Sequence, residues 1–192
     1  MTNLTNNSPV FIPTSRLFLR MANESDISSI IGYFQKNSVH FAPTDPTMPE
    51  GFFSEPFWIE RIQKSLVEFK SESSLRLFIF PEESRQVIGT VNFTQMFRGP
   101  FQACYLGYGI DLDYQGKGLM YEALVAAIQF VFGELNFHRI MANHLSENER
   151  SARLLKRLGF TVEGLARNYL FINGAWRDHV LNSLQNPDWK PR

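Results

Sequence analysis

Apolar positions recur along this chain with two periods, two and about three and a half, and the switches between them outline its elements. Leu17, Phe18 and Leu19, flanked by Arg16 and Arg20, predict a first strand. Asn23-Glu24-Ser25-Asp26 offers capping side chains, and Ile27, Ile30, Ile31 and Phe34 follow at helical spacing, so a helix is predicted to about Asn37. Pro43, Pro46, Pro49 and Gly51 forbid a regular element across Phe41–Phe53, an aromatic-ended loop of the kind that often carries recognition. Ser54 and Pro56 open a second helix with Phe57, Ile62, Leu66 and Phe69 inward. Two strands are predicted over Leu75–Phe80 and Gln86–Phe97, then a third over Ala103–Asp111. A helix follows over Tyr121–Gly133, its stripe formed by Leu119, Ala123, Ala126, Ala127, Phe130 and Val131. His138–Leu145 reads as a strand. Ser146-Glu147-Asn148-Glu149 reads as a capping box for a helix carrying Leu154, Leu155 and Leu158 and ending at Gly159. Asn173-Gly174 joins Tyr169–Ile172 to Trp176–Leu181 as a hairpin. The order predicts a mixed α/β fold with helices on both faces of a central sheet.

Composition adds exclusions. An apolar share of 44% over 192 residues is that of a chain with a real core, not a disordered one. Eighteen phenylalanines predict an aromatic core or an aromatic-lined cleft. Zero formal net charge argues against broad electrostatic binding to nucleic acid, leaving only a local basic patch open. A single cysteine, Cys104, cannot form an internal disulfide, and its strand position predicts a buried thiol. No apolar run approaches the roughly eighteen residues of a membrane span, and Met1–Ser8 has no signal pattern, so a cytoplasmic location is expected. Residues 1–13 are expected to form an N-terminal arm and 14–192 a single domain.

The chemistry is concentrated at Gln115-Gly116-Lys117-Gly118-Leu119-Met120, between a predicted strand and a predicted helix. Strand, glycine loop and helix present unpartnered backbone N–H groups to a phosphate or pyrophosphate. The P-loop is excluded because Gly118 is followed by Leu119; the dinucleotide fingerprint fails at Leu112 and at Tyr121. What remains resembles the Q/R-x-x-G-x-G/A loop of the GCN5-related N-acetyltransferases, with Met120 in place of the last Gly or Ala. Asn148-x-x-Ser151, followed by Leu155, Leu158, Gly159 and Phe160, is similar to a second segment of that family. Ala103–Leu106, His138–Asn143, Trp176–Leu181 and Pro187–Trp189 extend the resemblance from Arg16 to Trp189, to a branch that acetylates an N-terminal alanine on a small-subunit ribosomal protein. It is weakest over Ser38–Phe53.

The resemblance implies a mixed, mostly antiparallel sheet flanked by helices, acetyl-CoA as cosubstrate, no metal, no membrane, and direct attack by the acceptor amine in a ternary complex. It implies that Gly116, Gly118, Leu119 and Met120 bind the pyrophosphate through their amides, with Gln115 and Lys117 at the rim. Ile110, Asp111 and Leu112 would pair with the pantetheine arm, Asn148 would bond that arm, and Ser151 would supply a proton to the departing thiolate. Relatives with a tyrosine acid carry it seven residues after the asparagine, where this chain has Leu155. An α-amine with a pKa of about 7.7–8.0 is roughly one-third neutral near pH 7.5, whereas a lysine amine near 10.4 is almost wholly charged, so an N-terminal acceptor needs little help from a base. Asp178 is the first candidate for that base, with Glu163, His40, His138, His144 and His179 behind it; Trp176 and Tyr169 are candidates for the acceptor wall. Arg150, Arg153 and Lys156 are expected on a solvated helix face, within reach of the cofactor's ribose phosphate. Two alternatives stay open: a small-amine acceptor, for which Glu24, Asp45, Glu50 and Glu55 are the nearby carboxylates, and a non-catalytic acyl-CoA-binding or ribosome-associated module.

Overall fold

The computed structural model describes residues 10–191. Its strands are β1 (Phe11–Pro13), β2 (Leu17–Arg20), β3 (Leu75–Pro81), β4 (Gly89–Phe97), β5 (Ala103–Ile110), β6 (Arg139–Leu145), β7 (Thr161–Ile172) and β8 (Ala175–Gln185). The helices are α1 (Ile27–Phe41), α2 (Glu55–Lys70), α3 (Leu119–Gly133) and α4 (Glu149–Arg157). The strands form one sheet in the order β1-β2-β3-β4-β5-β6-β8-β7.

The period of two in the strands builds both layers. On β3, Leu75, Leu77 and Ile79 join the core under α3, while Phe78 and Phe80 join the one under α1 and α2. Cys104, Leu106 and Ile110 of β5 meet Leu119, Ala123, Leu124 and Ala127 of α3. Ile30 and Tyr33 of α1 pack with Trp58 and Ile62 of α2 on the other face. Burial of these side chains stabilises the fold by roughly 25 cal/mol per Å² of apolar surface removed from water. The phenylalanines divide between the two tasks the composition allowed: Phe80 and Phe93 are fully buried, and Phe34 and Phe52 line a cavity.

Every strand pairing is antiparallel except that of β5 with β6, and this exception makes the site. The parallel register runs only from Ala103↔Arg139 to Tyr105↔Met141. Beyond it β5 stays on β4 as far as Ile110, and β6 stays on β8 as far as Leu145. The two strands therefore part and leave a notch in the middle of the sheet.

Several elements differ from expectation for local reasons. Phe11–Pro13, at the end of the expected arm, pair with β2; residues 1–9 lie outside the described part. α1 continues to Phe41, four residues past Asn37. β7 begins at Thr161, well before the predicted Tyr169, and is irregular between Val162 and Gly164 and between Ala166 and Leu170. The cap of α4 is Asn148, not Ser146: its side-chain oxygen accepts from the Ser151 N–H at 3.1 Å. Asn148 wins because its own N–H closes a turn onto the Leu145 carbonyl at 2.8 Å, delaying the helix start.

Candidate active site

The glycine loop sits at the mouth of the notch. Gly116 and Gly118 have φ of +72° and +75°, a region where a side chain is strained, and Gly118 is the N-cap of α3. The first bond of the helix is Glu122 N–H to the Gly118 carbonyl, which leaves the amides of Gly118, Leu119 and Met120 without partners among the described residues. These orphan donors and the helix dipole favour an anion. Leu119 and Met120 bury their side chains in the core, so the helix start presents backbone alone.

The loop is held from both sides. Arg16 Nη1 donates to the Lys117 carbonyl at 3.1 Å, and the same guanidinium pairs with Glu122 at 2.6 Å. Thr14 Oγ1, Ser15 Oγ and the Arg16 N–H also donate to Glu122. Although partial burial opposes ionisation, these donors carry the carboxyl down to about 2. Gln115 Nε2 donates to His40 Nε2 at 2.6 Å, and Gln115 Oε1 accepts from Arg150. Lys117 leans over the Tyr114 ring, and Arg157 over Tyr121. Arg150 thus belongs to the loop. Arg153 pairs with Glu149 along α4, and Lys156 is exposed.

Inside the notch, Ser151 Oγ lies 2.6 Å from the hydroxyl of Tyr108, which comes from the parted half of β5. Burial pushes the Tyr108 phenol up to about 12, so it holds its proton throughout the physiological range. No short motif marks Tyr108 as a site residue. Its signal was position: it continues the inward set Cys104, Leu106 in the strand that runs into the glycine loop. Leu155, at the position where other tyrosine acids stand, is buried in the core.

The backbone edge of the notch is shifted from the expected one. The Asp111 N–H donates to the Ile88 carbonyl and the Leu112 N–H to Asn37 Oδ1, while their carbonyls accept from Tyr114 and Gln115. The Asp111 carboxylate is buried against Asn37 Nδ2 and Lys36 Nζ, which hold its pKa below the usual value against the cost of burial. Asp111 and Leu112 are therefore fully occupied in tying α1 to the loop. Alternation along the antiparallel β4–β5 pair turns the groups of Gly107 and Gly109 toward β4 and those of Tyr108 and Ile110 toward the notch.

The base candidates are dispersed. Asp178 accepts from the Asn168 N–H at 2.8 Å and braces the irregular stretch of β7. Glu163 accepts from Ser183 Oγ and pairs with Arg139. His144 Nδ1 donates to the Leu145 carbonyl and His179 Nδ1 to that of Arg177, while His138 packs near Trp189. Trp176 is largely exposed against Phe171. Tyr169 is nearer the notch: its hydroxyl accepts from Asn143 Nδ2, and it raises the pKa of Tyr105, which burial already pushes up. Among the described residues no group of three or more His, Cys, Asp or Glu is arranged to hold a metal ion, and no helix is long and apolar enough to cross a membrane.

Parting parallel strands beside a helix start with unpartnered amides are the layout of the N-acetyltransferases. The chain belongs to the GNAT acetyltransferase family, whose acetyltransferase (GNAT) domain matches residues 16–161. Over 97% of its length it is 42% identical to the [ribosomal protein uS5]-alanine N-acetyltransferase of Escherichia coli (strain K12), covering 96% of that protein. The ribosomal-protein-S5-alanine acetyltransferase of Vibrio fischeri has the same structure with a TM-score of 0.90 at 38% identity, over 95% of this chain and 100% of that one. RimJ of Mycobacterium smegmatis, solved with CoA-disulfide, shares the fold at 24% identity and a TM-score of 0.83, over 93% of this chain and 86% of that one.

Proposed function

We propose that this protein transfers the acetyl group of acetyl-CoA to the α-amine of an N-terminal alanine on the small-subunit ribosomal protein uS5, in the cytoplasm. The observation that carries the acceptor is the 42% identity along 97% of the chain to an enzyme named for that substrate. The cosubstrate is supported by the cradle itself: positive-φ glycines, three unpartnered helix-start amides and an open strand edge suit a pyrophosphate followed by an amide-bearing arm. A protein of the same fold solved with a CoA disulfide agrees with this.

Acetyl-CoA supplies an activated thioester. Gly118, Leu119 and Met120 bind its pyrophosphate through their amides, with Gln115 and Lys117 at the rim. Tyr108 and Ile110 offer backbone groups to the arm, and Asn148, its oxygen committed to Ser151 N–H, has its amide nitrogen left to donate. The Tyr108–Ser151 pair keeps a proton at the notch for the sulfur that leaves. Residues 14–192 act as one domain in this reading, with Asp178 bracing the hairpin.

Thiol release from acetyl-CoA tests it with two peptides. One carries the N-terminal sequence of uS5; the other has the α-amine blocked and a lysine free. Turnover with the first alone is the expected result, and turnover with the lysine peptide alone would overturn it. Tyr108→Phe and Ser151→Ala are expected to lower kcat by about 10–100-fold while the calorimetric affinity for CoA holds.

A further inference from the structure

The face of the sheet opposite α3 and α4 holds a cavity of about 270 Å³ between the α1–α2 loop, α2 and strands β3 and β4. Thr90 and Asn92 form part of its floor. Their partners across the β4–β5 register are Gly109 and Gly107, on the strand that borders the notch. A Cβ added at Gly107 would meet nothing within 4 Å, so the way from the cavity to the notch is not closed by a side chain there. At Gly109 the space is taken by α1: Tyr33 Oη would stand 3.4 Å from an added Cβ.

Tyr33 is 3% exposed, and its hydroxyl, near the Thr90 side chain, has no partner at hydrogen-bond distance among the described residues. Leaving such a group unpaired costs about 1–3 kcal/mol, so its presence asks for a reason, a catalytic or binding role being one. Beside it, Asp45 lines the cavity. Its backbone is fixed by a bond from its own N–H to the Phe41 carbonyl at 2.9 Å, and among the described residues its carboxylate accepts from Thr44 Oγ1 alone, at 3.2 Å. Tyr33 and His40 on α1 act on the Asp45 carboxylate, and Arg61 on α2 and Arg76 on β3 line the same cavity, both held by Glu68. Burial raises the Asp45 pKa, and the Asp45 charge helps keep Tyr33 protonated. Aromatic walls from Phe34, Phe52, Trp58 and Phe78 lower the polarity of the cavity, which favours a neutral amine over an ammonium.

We propose that Tyr33 and Asp45 handle the acceptor's α-amine, Tyr33 Oη accepting a hydrogen bond from it beside Gly109 and Asp45 taking its proton. This rests on the N-terminal acetyltransferase reading above. The nitrogen lone pair forms the C–N bond as the C–S bond breaks; the N–H proton passes to Asp45, and the sulfur takes its proton from the Tyr108–Ser151 pair. Tyr33 is then a substrate-binding group and Asp45 the general base that the hairpin carboxylate does not provide.

Asp45→Asn and Tyr33→Phe, assayed with the free-amine uS5 peptide, test the assignment alongside CoA calorimetry and thermal melts. Asp45→Asn is expected to lower kcat about 100-fold or more with CoA affinity unchanged within about twofold. Tyr33→Phe is expected to raise KM for the peptide about tenfold while melting at or above the wild-type temperature, because it removes an unpaired buried hydroxyl. Full activity in both variants, with the wild type active, overturns this assignment alone. Losses matched by an equal fall in CoA affinity or melting temperature overturn it as well, since they mark a structural role. A wild type inert to the peptide but able to bind CoA overturns the acceptor reading, and this assignment with it.

Discussion

Glu122 carries a negative charge into the first turn of a helix whose start presents unpartnered amides, and its surroundings neutralise it. Arg16 pairs with it at 2.6 Å while reaching the Lys117 carbonyl with another nitrogen, so one ion pair also sets the loop. The folded pKa, about 2, lies below the ordinary 4.5, so the stabilisation is complete above pH 4.5 and is lost as pH falls toward 2. Arg16 is half-exposed, which screens the pair. Glu122→Gln is expected to cost about 1–2 kcal/mol at pH 7 after that discount and to flatten the acid side of the stability curve. Thermal melts of both proteins between pH 7 and pH 3 check it. The sequence held each partner but not the contact, because Arg16 and Glu122 are 106 residues apart.

At the scale of elements, legibility followed how local the determinants are. The hairpin turn was readable because Asn173 and Gly174 both take positive φ, 48° and 78°, as an Asn-Gly pair favours. The first capping box was readable too: Asn23 and Asp26 bond reciprocally within four residues. The start of β7 was not. Thr161, Val162 and Glu163 are all exposed on an edge strand, and Gly164 and two register shifts erase the period of two. Asp178 follows from the same irregularity. Asn168 takes a positive φ of 48°, and its N–H needs the partner that Asp178 supplies. Asp178→Ala is expected to cost about 1 kcal/mol in stability and leave kcat within about threefold. Steady-state kinetics check this; a loss of about 100-fold or more would return Asp178 to the role of base.

For the whole molecule, the consequence of the notch is linkage between binding and folding. Its walls come from β5 and β6 and its ends from α3 and α4, so a ligand seated there contacts elements that meet only in the native state. Acetyl-CoA at about 100 times its Kd is expected to stabilise the fold by about 2.7 kcal/mol and raise the melting temperature by about 5–10 °C. A thermal melt with and without the ligand measures it.

By itself the sequence determined the parts whose physics is local: the glycine loop, where positive φ and orphan helix amides coincide; the helix stripes; the Asn23–Asp26 capping box; and the Asn-Gly turn. Only the tertiary structure decided what those parts face. Tyr108 meets Ser151 across 43 positions, Asp111 closes on Asn37 and Lys36 instead of offering its amide to the notch, and the Tyr33 hydroxyl stands over Gly109. Dihedral preference and capping act within a few residues and so are written in short motifs. Strand register, and the point where two parallel strands part, depend on how both faces of the sheet are covered, and no short stretch of chain carries that.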